Sequence, residues 1–350
     1  MTRVRGRGKE VRKFVTANIE QHPNDIAKVT ADKFGITRQA VGRHLKNMVS
    51  EGGLMCDGTT RARTYKLRPL QTLDREVPID ASLSESDAWL TIILPALESS
   101  LPENVVDLWH YGFTEIFNNA IDHAEGRIAQ IHFERTAVST TLLLHDDGVG
   151  IFQKIQGALG LADERHAVLE LFKGKFTTDP DNHTGEGIFF TSRMFDEFII
   201  WSGDTFFSHD EPTNQDWAHR STKPAEKGTT VLLSLSNHTS KTMTRVFNRF
   251  RSEGEEYGFT KTIVPVKMTE YGDDKLVSRS QAKRLMARFD RFKTVVLDFK
   301  GVSSIGRSFA DEVFRVYINQ HPEIMITSMN ENSAVKRMIA YVTALNDEPK

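Results

Sequence analysis

The sequence predicts a multidomain α+β chain. Its 350 residues exceed what one hydrophobic core usually supports, so two or three domains are expected. Charge is divided sharply along the chain: residues 1–70 hold 15 Lys and Arg against 6 Asp and Glu, a net +9, which leaves −11 on the remainder. The apolar pattern also changes character near residues 70 and 255. Hydrophobic residues at 39% and charged residues at 26% describe an ordinary soluble globular protein. There is no run of 18 apolar residues, and MTRVRGRGKE lacks the apolar core of a signal peptide. A cytoplasmic location with no membrane partner is therefore expected. One cysteine, Cys56, excludes an intrachain disulfide and a cysteine-rich zinc site.

The basic stretch predicts three helices, over 8–21, 24–34 and 37–51. Thr37 is placed to cap the third, where Val41, Leu45, Met48 and Val49 form an inward stripe. Arg38, Gln39, Arg43, His44 and Lys46 are left outward. LMCDGTTRARTYKL then gives two strand-like runs around Asp57-Gly58, a hairpin signal. Three helices followed by a basic hairpin resemble a winged helix-turn-helix over residues 1–70. The resemblance implies a double-stranded DNA partner. Arg38, Gln39, Arg43 and Lys46 would sit at the major groove, and Arg61 and Arg63 on the wing would meet backbone or minor groove. The +9 charge agrees with a polyanionic partner.

RPLQTLDREVPIDASL is expected to be a connector. Two helical segments follow, SDAWLTIILPALESS and NVVDLWHYGFTEIFNNAIDHA. In the second, Phe113, Ile116, Phe117, Ala120, Ile121 and Ala124 recur at helical spacing and mark a buried stripe. Glu115, Asn118, Asn119 and Asp122 share the other face. Asparagine is a poor helix former, so two in succession there point to chemistry rather than solvation. A strand, AQIHFERT, precedes TTLLLHDDGVGI, which runs into Asp146-Asp147-Gly148-Val149-Gly150. The helix IFFTSRMFDEF follows HTGEG, and the strand GTTVLLSL comes after a loop.

Four pieces, in this order, resemble the GHKL ATPase superfamily, which shares the Bergerat nucleotide fold. The nearest subgroup is the anti-sigma-factor serine kinases. Glu115 to Asn119 matches the E-x-x-x-N of the N box. Asp146-x-Gly148-x-Gly150 matches G1, Gly185-x-Gly187 matches G2, and Gly228-Thr229-Thr230 matches G3. The resemblance covers residues 76–240 and implies an α/β sandwich with a mixed sheet and helices on one face. It implies ATP and Mg²⁺ as cofactors. Asn119 would supply an oxygen to Mg²⁺, and Glu115 would act as catalytic base at the γ-phosphate side. Asp146 would accept from the adenine amine, with Gly148 and Gly150 allowing close approach. Gly185 and Gly187 would lead a helix whose first amides meet phosphate, and Thr230 would bond near adenine. Residues 152–184 would form the ATP lid, from which Lys173 and Lys175 could reach phosphates. His123 either lines the site or packs on the next strand. A homodimer is common among such proteins.

Near 255 the pattern becomes a small α/β unit: helix SRSQAKRLMARFDRF, strand TVVLDF, loop KGVSSIGR, helix SFADEVFRVYINQ, strand EIMITSM and helix NSAVKRMIAYVTAL. LDFKGVSSIGRSFADE resembles the STAS-like family, related to anti-sigma-factor antagonists, over residues 255–350. That implies a protein partner. The acceptor serine of such antagonists precedes the helix, where this sequence has Arg307, with Ser308 beside it as the candidate phosphoacceptor. Ser308 and Asp311, spaced S-x-x-D, also suit a capping-box-like helix start.

The first functional expectation is a regulator that couples Mg·ATP binding, and hydrolysis through Glu115, to DNA binding. The second is a serine kinase acting on Ser303, Ser304 or Ser308, in cis or in trans. The third is a nucleotide-stabilised scaffold without turnover.

Overall fold

Helices α1 (Thr2–Asn18), α2 (Ile26–Phe34) and α3 (Arg38–Ser50) each turn one apolar stripe inward. Val15, Ile19, Ile26, Val41 and Leu45 are fully buried in a core of their own. In this computed structural model, which describes residues 2–59, 63–80, 83–97, 101–177, 184–210, 215–220, 226–254, 258–269 and 276–344, α1 starts earlier than the expected residue 8. Thr37 caps α3, its hydroxyl accepting from Ala40 N at 3.2 Å. Gly35, at φ 58°, ends α2 in the left-handed region that favours glycine. Strands β1 (Leu54–Asp57) and β2 (Thr64–Leu67) pair as an antiparallel hairpin. Asp57-Gly58 opens that turn rather than spanning it.

The expected connector is a strand. β3 (Gln71–Pro78) pairs antiparallel along its whole length with β4 (Ile128–Arg135), so the middle unit begins at 71 instead of 76. Leu73 and Val77 carry its alternation against the core, but the prolines at 69 and 78 mask so short a signal. α4 (Glu85–Ala88), a π-helical stretch (Trp89–Ile93) and α5 (Leu94–Leu97) follow without a break. Leu94 N bonds to Trp89 O, five residues back, and this widened turn carries the helix past Pro95, which has no N–H. Then come α6 (Glu103–Asp122), β4, β5 (Ser139–Asp146), α7 (Ile151–Leu159), α8 (Glu164–Lys173) and α9 (Gly187–Met194).

The loop expected before GTTVLLSL contains three strands, β6 (Glu197–Gly203), β7 (Thr205–Asp210) and β8 (Gln215–Arg220), ahead of β9 (Glu226–Ser236). The seven strands run in the order β3-β4-β5-β9-β6-β7-β8. Every neighbouring pair is antiparallel, which corrects the expected mixed sheet. The chain returns each time by a hairpin or a helical excursion beside an antiparallel neighbour, so no parallel crossover arises. One face buries Ile131, Phe133, Leu142, Leu144, Ile200 and Leu233 in a core with Trp109, Phe113 and Phe117 of α6. The other face is half-buried along β5 and exposed at Thr72, Asp74 and Glu76 of β3 and at Gln130 and His132 of β4. Gly112 lets α6 lie close to α9: a Cβ there would fall 2.3 Å from the Phe195 ring.

After α10 (Met243–Arg249), strand β10 (Lys261–Pro265), unforeseen in the sequence, precedes a 3-10 turn (Val266–Thr269) and α11 (Arg279–Met286). β11 (Thr294–Asp298), α12 (Arg307–Asp311), a π-helical stretch (Glu312–Tyr317), α13 (Ile318–Gln320), β12 (Met325–Met329) and α14 (Ser333–Ala344) complete the chain. β10-β11-β12 is a parallel sheet, as strands separated by helices require. The expected cap at Ser308 is overturned. Helix α12 starts earlier, on Gly306, without a side-chain cap, and Asp311 is held by Arg315. The genuine capping box joins Ser278 and Gln281 at α11. This C-terminal unit shares one continuous core with the middle unit. Among the described residues, no helix is long and apolar enough to cross a membrane.

Candidate functional site

A cavity of about 280 Å³ opens between α6, the ends of β5 and β9, α7 and the turn before α9. That is near the small end of the range usual for small-molecule sites, roughly 300–1,000 Å³. Glu115, Asn119, Asp146, Gly150, Gly185 and Gly187 all line it, although they are spread over 73 residues of sequence.

Strand register places its floor. Asp146 lies opposite Thr229, and Thr229 lies opposite Ser202, so the three share one face of β5, β9 and β6. The Asp146 carboxylate accepts from Gly148 N at 3.0 Å and Thr229 N at 3.3 Å. Burial nevertheless raises its pKa above the ordinary carboxylate value. Its neighbour Asp147 has the opposite fate. It accepts from Arg127 N and Ile128 N, at 2.6 and 3.0 Å, and these bonds hold its pKa low. One acid of the pair faces the cavity; the other staples the loop beneath it.

Thr230 does not reach the cavity. Alternation turns it to the opposite face of the sheet, where its hydroxyl lies 2.8 Å from His145 Nδ1. Thr229 replaces it, lining the cavity and accepting from Ile151 N at 3.0 Å. Counting residues from the floor acid along paired strands would have found this exchange. Gly148 is not on the cavity wall but is required just behind it, since a Cβ would fall 2.1 Å from Ala124 O. At Gly150 (φ 99°) a Cβ would meet Ser202 Oγ at 2.6 Å.

On α6, Asn119 Nδ2 donates to Glu115 O at 2.8 Å, which leaves the amide oxygen as the atom able to accept or to ligate. A Cβ at Gly187 would lie 1.8 Å from Glu115 Oε2. The second glycine of G-E-G thus makes room for that carboxylate, a dependence invisible in the linear sequence. Asn118 and His123 also line the cavity. Lys154, missed in the sequence, borders it and donates to His123 O at 2.6 Å and Glu125 at 2.9 Å. Its position four residues after Gly150, on the first turn of α7, was the available signal.

Lys173 and Lys175 point elsewhere. Lys173 is fully buried, bonded to Glu170 at 2.6 Å and to Ala287 O at 2.8 Å. Burial lowers its pKa to about 8, against the attraction of Glu170. Lys175 donates to Arg291 O at 3.0 Å and lies over the Phe292 ring. Both belong to the joint with the C-terminal unit, because α8 packs on that unit instead of standing free.

On the N-terminal module Arg38, Gln39, Arg43 and Lys46 are exposed on α3, and His44 is half-buried. Arg63 is exposed at the start of β2, its charge favoured by Tyr65. Arg61 lies outside the described residues. Ser303 and Ser308 are exposed and Ser304 half-buried.

Residues 281–336 match the family model described as a STAS-like domain of unknown function (DUF4325). The C-terminal unit is STAS-like. A comparison with curated proteins found no match to the chain.

Proposed function

We propose that the cavity binds ATP with Mg²⁺ and that its occupancy governs how the basic N-terminal module meets duplex DNA. The observation that carries this is the convergence of Glu115, Asn119, Asp146, Gly185 and Gly187 on one cavity. The donor set suits the ligand. Asp146 is an acceptor walled by apolar Leu144, Ile155 and Val231, as an adenine amine and ring would require. The amides at the start of α9, in a helix beginning on a bare glycine, suit phosphate. Asn119 would hold Mg²⁺ through its amide oxygen, and the ion would supply charge neutralisation at the phosphates.

Glu115 would then stand at the γ-phosphate end as base. Its carboxylate takes the proton of a water whose oxygen bonds to phosphorus as the bond to the ADP oxygen breaks. The exposed Arg38, Gln39 and Arg43 on one helix, with Arg63 on the hairpin, support a winged-helix reading of the N-terminal module. The STAS-like unit supports a protein partner.

Incubation with γ-labelled ATP tests the site. Free phosphate without labelled protein is expected; label lost on Ser308→Ala would instead make the chain a serine kinase. Asn119→Ala should lose Mg·ATP affinity at least tenfold, and unchanged affinity would remove the metal assignment. Asp146 accepts more strongly when ionised, and burial raises its pKa. Affinity should therefore fall on acidification at a higher pH than an ordinary carboxylate allows. Asp146→Asn should abolish that pH dependence. For the module, Arg43→Ala should reduce the salt slope of duplex binding by about 1. A salt-insensitive module would exclude DNA.

A further inference from the structure

The strap from Glu170 to Thr177 has two sides. Leu171, Phe176 and Thr177 line the cavity. Between them, Glu170, Lys173 and the carbonyls of residues 173–175 are gripped by the STAS-like unit. Arg288 spans most of that grip. Its guanidinium donates to Glu170 Oε2 at 3.1 Å, to Gly174 O at 3.4 Å and to Lys175 O. Arg291 adds a bond to Lys175 O at 2.9 Å, and Thr262 one to Lys173 O at 2.9 Å. Backbone conformation marks the same joint from both sides: Lys175 at φ 54° and Arg288 at φ 62° are left-handed residues with side chains. Such conformations persist only where surroundings over-determine them. Beyond the grip, Phe176 N donates to Gly185 O at 3.2 Å, and the Phe176 backbone lies where a Cβ on Gly185 would be, 2.4 Å away. The strap therefore holds the glycine turn of the cavity in place.

We propose that Arg288 is a positioning residue for the cavity: by clamping the 170–177 strap it fixes Phe176 and Gly185, and so links cavity occupancy to the packing of the STAS-like unit. The linkage is reciprocal, since a ligand that favours the clamped strap must favour the clamp equally. Only the ligand arm of this inference rests on the ATP reading.

The test is amide hydrogen exchange on the full chain in wild type, Arg288→Ala, Arg288→Lys and Arg291→Ala, with Mg·AMP-PNP titrated in parallel. In Arg288→Ala the Phe176 amide should exchange at least tenfold faster while β4 and β5 amides keep their protection. Affinity for Mg·AMP-PNP should fall about tenfold. Lysine cannot span the carboxylate and two carbonyls, so Arg288→Lys should fall between the two. Arg291→Ala, which removes one bond from an exposed side chain, should raise Phe176 exchange about threefold. Unchanged Phe176 exchange in these variants overturns the proposal. Should Arg288→Ala unfold globally, Arg288→Lys and Arg291→Ala decide it alone. If wild type binds no Mg·AMP-PNP yet Phe176 loosens as stated, the ATP reading fails and the clamp stands. If nucleotide binds equally to every variant, the link between clamp and occupancy is overturned and the site stands.

Discussion

The two ends of this chain are attached to its middle in opposite ways. The N-terminal module has its own core, and a polar seam ties it to the sheet: Glu20 accepts from Thr136 Oγ1 at 2.8 Å and from Ser139 Oγ at 2.9 Å. The C-terminal unit has no separate core. Its Phe259 ring packs on Phe292 and against Phe189 and Phe190, with centroids 4.5 and 4.9 Å from the latter two, and the Arg288–Glu170 ion pair joins the same units. A fused element must change when its neighbour changes. A module held by two hydroxyls and one apolar contact, at Val138, can be re-aimed at little cost. Under the proposed function, the loose end carries the basic helix, and the fused end grips the strap that borders the cavity.

The sharpest way to break the comparison is Phe259→Ala. This buried ring bridges the units, and its removal should cost about 3–5 kcal/mol. The middle and C-terminal units should still unfold as one transition at a lower temperature, followed by calorimetry. Two separate transitions in that region would show that the shared core is not cooperative.

Leu45→Ala, in the N-terminal core, should cost about 2–5 kcal/mol by the same cavity argument. Here the loss should be confined to the module. The circular-dichroism melt of the remainder should stay in place, and protection of the β4 and β5 amides should not change. A common shift of both would mean the seam transmits more than its hydrogen bonds suggest.

The legibility of the sequence follows the same division. α3 was readable because its stripe, cap and outward charges all agree locally, and Val41, Leu45 and Thr37 behave accordingly. Helix α6 was readable for the same reason. Strands β6, β7 and β8 were not: Phe198 to Trp201 is a short apolar run directly after a helical pattern, and the sheet that stabilises all three is assembled from distant segments. The residues of α6 and of the glycine turns that line the cavity were legible as a pattern. Lys173, Lys175 and Thr230 were misplaced because their directions depend on tertiary packing or strand phase. Glu170, one turn earlier, is a local partner for Lys173, but nothing nearby announces that the carbonyls of Arg284 and Ala287 will enclose it.

The finest test of the contrast is Glu20→Ala. Glu20 is exposed, and without it Thr136 Oγ1 still reaches Ser139 O at 3.2 Å and Ser139 Oγ at 3.2 Å, so the net loss should be about 1 kcal/mol or less. Neither melting transition should move by more than a few degrees. What should change is orientation: small-angle scattering of the full chain should report a broader distribution of distances, because the seam, rather than a buried interface, sets the angle of the module. Ser139→Ala should reproduce part of that broadening, since it removes a hydroxyl that donates to Glu20 and leaves the amides held by Thr136 Oγ1 in place. A loss of several kcal/mol in Glu20→Ala would place Glu20 in a structural network of the sheet, and the module would then have to be regarded as fused at this end as well.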